Sequence, residues 1–186
     1  MTQEEHFKVI CNQATDINEH LPVLRHYAEQ CDHVTEMGVR SVVSTFAFIM
    51  GKPKTLLSID LYHPGRWGNN GQKNLELAKQ YADETGVNFR FIEGDTREII
   101  IDETDFLFID TWHVYEQLKI ELERHGNKAR KYIGFHDTTL FEKRGETNGH
   151  EGLWRAIEEF IMDNPQWTIK ERRTNNNGLT ILERNA

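Results

Sequence analysis

Short apolar runs alternate with longer amphipathic stretches along this chain, and most of the runs end on an acid. Residues 106–109, Phe-Leu-Phe-Ile, are apolar without interruption, as in a strand covered on both faces of a parallel sheet. Runs of similar character predict strands over 33–38, 55–60, 87–92 and 132–137. Residues 167–173 and 179–184 are predicted to pair through Asn175-Asn-Asn-Gly178, where Asn and Gly supply the positive φ that a hairpin turn needs. Apolar positions at helical spacing predict helices over 44–50, 115–129 and 154–162. A further helix over 74–85 carries Leu75, Leu77, Ala78, Tyr81 and Ala82 on one side and stops at Gly86. Two N-terminal helices, 4–13 and 19–30 with Asp16 as a cap between them, are expected to cover one edge of the sheet.

Strand alternating with helix implies an α/β fold: a doubly wound, mostly parallel seven-stranded Rossmann-like sheet with an antiparallel C-terminal hairpin strand. At 186 residues this is one domain, a helical cover over 1–31 and a core over 33–184. A formal charge of −8 disfavours a nucleic-acid partner, and the basic clusters around Lys128 and Lys170 read as solvated faces. No apolar run approaches the roughly 20 residues that span a bilayer, so no membrane partner is expected. The start lacks a charged and apolar leader, and Cys11 and Cys31 read as reduced thiols, which together predict a cytoplasmic protein.

The strand ends carry the candidate chemistry, because ligands of open α/β sheets bind at the carboxyl edge. Asp60, closing the second strand, is placed to accept hydrogen bonds from both ribose hydroxyls of a nucleoside, and a carboxylate after the third strand, in Glu93-Gly-Asp95, can read an adenine amino group. Gly38 leaves room for a ligand at the first turn. Asp110 and His113 follow the fourth strand, and His136 and Asp137 close the fifth. Residues 61–71 and 138–152 are polar loops, the second long enough to serve as a lid. His63, His125 and His150 read as surface residues, and Trp154 and Trp167 as core.

With Glu36-Met-Gly-Val39, Ser58-Ile-Asp60, Glu93-Gly-Asp95, Phe108-Ile-Asp-Thr-Trp-His-Val-Tyr-Glu116 and Gly134-Phe-His-Asp137 in this order, the chain resembles the class I S-adenosylmethionine-dependent methyltransferases. The similarity is to the small branch of macrocin-type O-methyltransferases and cephalosporin hydroxylase-like proteins. It implies S-adenosylmethionine as cofactor, with Glu36 and Gly38 beside its methionine part and Ser44 near its carboxylate. Asp60 would hold the ribose, Asp95 and Thr96 the adenine, with Asp110 completing the cofactor site. A divalent ion, Mg²⁺ or another, would sit on Asp110, His136 and Asp137. His113, with Asp110, would act in catalysis, His113 as general base toward a small hydroxylated or sugar-like acceptor. Trp112 and Tyr115 would wall the acceptor pocket, to which a second subunit of a homo-oligomer is a further contributor. Val42 and Val43 stand where that family carries small residues, so crowding of the methionine site is expected. A nicotinamide-dependent enzyme would need G-x-G-x-x-G after the first strand, and Gly38 is the only glycine between His33 and Met50. At Gly51-Lys-Pro53 the rest of the P-loop pattern is missing, which speaks against a phosphate-cradling enzyme. A non-catalytic binding or regulatory module on the same fold is the alternative from another class.

Overall fold

In a computed structural model describing residues 1–185, seven strands form one sheet. They are β1 (His33–Met37), β2 (Thr55–Asp60), β3 (Asn88–Glu93), β4 (Thr104–Ile109), β5 (Ala129–His136), β6 (Trp167–Arg173) and β7 (Leu179–Arg184). Their order is β3-β2-β1-β4-β5-β7-β6, parallel from β3 to β5 and antiparallel at β5–β7 and β7–β6. All six residues of β4 are buried, which accounts for its unbroken apolar run, whereas the edge strands β3 and β6 keep exposed positions.

Helices α1 (Gln3–Asn12), α2 (Leu21–Ala28), α3 (Ser44–Gly51) and α4 (Asn69–Thr85) contribute to the core on one side of the sheet, and α5 (Tyr115–His125) and α6 (Trp154–Asp163) to the core on the other. The N-terminal helices therefore cover a face, not the expected edge. Tyr27 of α2 meets Tyr132 at 4.9 Å and Phe106 at 6.0 Å between ring centroids, over central strands. Helix α1 begins with a reciprocal cap: Thr2 Oγ1 accepts from the Glu5 backbone and Glu5 accepts from the Thr2 backbone. Asp16 caps nothing; it forms a 2.9 Å ion pair with Arg40.

Two helix ends differ from expectation for a shared reason, close packing at glycine. Helix α4 begins at Asn69, and a Cβ on Gly71 would stand 2.1 Å from the Pro64 carbonyl, so that glycine serves contact within an ordered turn. Helix α5 ends at His125 because Gly126 lies under the Phe160 ring, where a Cβ would approach within 2.6 Å.

The parallel crossovers β1–β2, β2–β3 and β4–β5 carry α3, α4 and α5, but residues 94–103 between β3 and β4 contain no helix. The expected lid, 138–152, is tied down. Arg144 and Glu151 bridge, Glu146 N donates to the His113 carbonyl, and Tyr115 N donates to the Glu151 carbonyl. Among the described residues no helix is long and apolar enough to cross a membrane, and both cysteines are free thiols.

Candidate functional site

A cavity of about 620 Å³ opens at the carboxyl edge of the sheet, where the connections leaving the paired strands β1 and β4 turn to opposite faces. Gly38, Ser44, Asp60, Asp95, Thr96, Asp110, His113 and Asp137 all line it, so one space gathers most of the residues singled out from sequence. Glu36 and His136 do not reach it.

At the first turn, Asp60 Oδ2 accepts from Val39 N (2.7 Å) and Arg40 N (2.8 Å), and Oδ1 accepts from Tyr62 N (2.9 Å). Three of a carboxylate's roughly four acceptor positions are thus filled by backbone, leaving room for one ribose hydroxyl rather than two. This carboxylate holds a loop that carries Arg40 (φ 48°) and Val42 (φ 65°) in the left-handed region, which β-branched residues rarely enter. Val42 is fully buried in the core and does not face the cavity, while Val43 does. The expected crowding therefore falls to Val43 alone, and the cavity stays open. Gly38 (φ 88°) is demanded by the fold: a Cβ there would stand 2.0 Å from the Asp110 carbonyl oxygen. Close approach of β1 to the end of β4 accounts for this glycine, which also lines the cavity where ligand clearance was expected of it.

Glu36 lies beneath the cavity with no solvent exposure. Its carboxyl accepts from Ser44 (2.5 Å), Ser58 (2.5 Å) and Thr45 (2.8 Å). Burial pushes it up to about 7, against the lowering effect of those three hydroxyls. Expected beside the ligand, it instead sets Ser44 at the start of α3. At the end of β3, Asp95 is clasped by the Arg97 guanidinium at 2.6 Å, which holds its carboxyl below the usual range. Thr96 Oγ1 donates to buried Glu121 (2.5 Å).

The third part of the cavity is a cluster of acids and imidazoles. His113 Nε2 lies 3.0 Å from Asp110 Oδ1 and 3.0 Å from Asp137 Oδ2, while Nδ1 lies 3.1 Å from Glu146. Its ring stacks on Phe141 at 4.9 Å and 10°. Burial alone would lower the imidazole's pKa, but the two carboxylates outweigh it and lift His113 to about 10. Buried His136, 3.6 Å from Asp110 and 3.5 Å from Asp137, is likewise lifted to about 10 against its burial. Asp137 falls to about 2 and Asp110 well below the carboxylate range, because both imidazoles overcome their desolvation. With carboxylates on both nitrogens, His113 has no free lone pair for the base role expected of it. Instead, Asp110, His113 and Asp137 place one donor atom each within 4.8 Å of one another, a spacing that could hold a metal ion. His113, not the expected His136, belongs to this grouping, and His136 stands behind it.

Trp112 lines the cavity, but Tyr115 turns away to bond Glu159. Trp167 is core as expected, whereas Trp154 is partly exposed under Arg172, at 3.8 Å. His125 is buried, not on the surface, and bonds the Thr96 carbonyl. Glu121, Gln117, Thr111 and Glu146 escaped the sequence reading; only the helical spacing of Gln117, Glu121 and His125 marks them as one face of α5.

No family model and no curated protein matches this sequence. Solved structures do. The O-methyltransferase from Bacillus cereus in complex with SAH aligns at 14% identity over 98% of this chain and 90% of its own, with a TM-score of 0.63. SAH-bound methyltransferase PaMTH1 of Podospora anserina aligns at 14% identity over 99% and 88%, TM-score 0.60. The O-methyltransferase TomG from Streptomyces achromogenes, in complex with SAM, aligns at 13% over 99% and 86%, TM-score 0.58. This chain has the fold of these methyltransferases. The match runs nearly end to end, so the methyltransferase fold here includes the N-terminal helices and the closing β6–β7 hairpin.

Proposed function

We propose that this chain is an S-adenosylmethionine-dependent methyltransferase that methylates a hydroxyl of a small acceptor with the help of a divalent metal ion. One observation carries the reading: the first turn held by Asp60 and the Asp110–His113–Asp137 set face the same cavity at the topological switch point. Three proteins of known structure that share the fold were solved with SAM or SAH bound, which supports the cofactor half. On this reading Gly38 and Ser44 border the methionine end, Asp60 takes one ribose hydroxyl, and Asp95 with Thr96 walls the adenine.

The donor chemistry fits a metal. Two carboxylate oxygens and one imidazole suit Mn²⁺, Zn²⁺ or Fe²⁺ better than Mg²⁺, which prefers oxygen alone. Such an ion, when bound, lowers the pKa of an acceptor hydroxyl and fixes its direction. His113 gives up its proton on becoming a ligand, and His136 keeps Asp110 and Asp137 oriented from behind. Phe141 and the tied loop keep the imidazole in place. Both arginines lining the cavity are already paired, Arg40 with Asp16 and Arg97 with Asp95, so no free cation awaits an anionic acceptor. Trp67 and Trp112, half exposed at the rim, favour a neutral sugar-like molecule laid on an aromatic face.

The test is a calorimetric titration with S-adenosylhomocysteine, with and without Mn²⁺, followed by turnover with S-adenosylmethionine and hydroxylated acceptors. Binding weakened by Asp60→Ala and turnover lost on chelation are expected; absence of binding at millimolar ligand would remove the methyltransferase reading. A binding module without turnover is favoured by the near-saturation of Asp60, and it is distinguished by cofactor binding with no methylated product for any acceptor class.

A further inference from the structure

The β3–β4 crossover has no helix to stiffen it, yet its residues Asp95, Thr96 and Arg97 form one wall of the cavity. What holds this wall comes from α5. Glu121 is fully buried, does not line the cavity, and gathers three donors. Its Oε1 accepts from Thr96 Oγ1 (2.5 Å) and Gln117 Nε2 (2.8 Å), and its Oε2 accepts from Thr111 Oγ1 (2.9 Å). One turn later, buried His125 donates from Nε2 to the Thr96 carbonyl (2.8 Å). Thr96 is therefore gripped by side chain and backbone together, from residues four apart on one helix face. The three residues that Glu121 binds all line the cavity. Thr111 directly follows Asp110, so the same carboxyl ties the crossover to the loop bearing the acid–imidazole set.

We propose that Glu121, assisted by His125, is a positioning residue that fixes the β3–β4 crossover as the adenine wall of the cofactor site, a task that a crossover helix cannot perform here. This rests on the cofactor reading above. Neither side chain touches the ligand; each acts through Thr96. A crossover freed from α5 must be ordered anew each time a ligand binds, and that ordering cost appears as lost affinity for any ligand carrying adenosine.

The experiment titrates S-adenosylhomocysteine, 5′-methylthioadenosine and Mn²⁺ separately into the full chain and into Glu121→Gln, Glu121→Leu and His125→Phe, with thermal melts of each. His125→Phe keeps an aromatic ring, somewhat larger than imidazole, and removes the donor to Thr96, so its melt is read beside its affinities. Glu121→Leu and His125→Phe are expected to lose about tenfold or more in affinity for both adenosine ligands, as for buried polar partners left unmade. In His125→Phe, which leaves the Glu121–Thr111 link intact, Mn²⁺ affinity is expected to stay within about threefold, and Glu121→Gln, which keeps an acceptor toward Thr96, should recover most of the adenosine-ligand loss. A cooperatively melting His125→Phe or Glu121→Leu chain that binds both adenosine ligands like the unaltered one overturns the proposal. Equal loss of Mn²⁺ and adenosine affinity in His125→Phe also overturns it, because that marks general loosening. If Glu121→Leu does not fold, His125→Phe decides. Failure of the unaltered chain to bind S-adenosylhomocysteine overturns the cofactor reading together with this inference, and it is told apart by appearing before any substitution.

Discussion

At the first-turn end of the cavity, Asp60 meets three backbone N–H groups, whereas at the other end Asp110 and Asp137 meet two imidazoles whose protons can leave. The first end is balanced by donors that belong permanently to the chain, so it is already formed before any ligand arrives. The second is balanced by exchangeable protons, and on the proposed function a metal ion would take the proton's place at His113. The difference teaches how two carboxylate sites can be balanced: on the proposed function, a fixed cradle for the cofactor stands beside a charged set whose balance is remade when a metal binds.

The sharpest way to break this contrast is Asp137→Asn, which keeps the side-chain shape at a left-handed position (φ 59°) that Asn tolerates. Mn²⁺ affinity is expected to fall by about 100-fold or more, while S-adenosylhomocysteine affinity changes little. Calorimetry showing unchanged Mn²⁺ binding would take Asp137 out of the ligand set. Asp60→Ala probes the permanent end. Loss of three charge-assisted bonds at a partly exposed site should lower stability by about 2 kcal/mol and weaken S-adenosylhomocysteine, with the metal end unaffected. Denaturant unfolding with no change in midpoint would show that the loop holds itself.

Glu36 supplies a subtler test. Its folded pKa, about 7, lies above the ordinary carboxyl value, so proton binding stabilises the fold fully below about 4.5, and this contribution is lost as pH rises through about 7. Glu36→Gln removes that loss. The melting temperature of the variant relative to the unaltered chain should climb between pH 5 and pH 8, and a flat difference would place the ionisation elsewhere. The smallest effect is expected from Arg40→Gly: relief of a left-handed non-glycine is worth about 1 kcal/mol, offset in part by the lost exposed pair with Asp16. A fall in melting temperature of several degrees would mean that the Asp16 link, not the backbone, governs this loop.

Much of the architecture was legible because burial leaves its mark on composition. The double-sided burial of β4 needs a continuous apolar run, and β6 and β7 were bounded by their Asn-Gly turn. The helix ends at Asn69 and His125 were not legible, since Gly71 and Gly126 are set by Pro64 and Phe160, residues that sequence does not show to be neighbours. In the site, Asp60, Asp95, Asp110 and Asp137 were legible as strand-end acids. Glu121 was not, because an acid in an amphipathic helix reads as solvated until tertiary packing buries it among hydroxyls.

By itself, then, the sequence determined which elements form and which end of the sheet carries acids, because hydrophobic periodicity and strand-closing residues are local properties. The tertiary structure alone decided what each acid does. Whether a carboxylate meets backbone N–H groups, as Asp60 does, hydroxyls, as Glu36 and Glu121 do, or imidazoles, as Asp110 and Asp137 do, depends on partners up to dozens of residues away. Those partners set its charge, its proton affinity and its freedom to take a ligand.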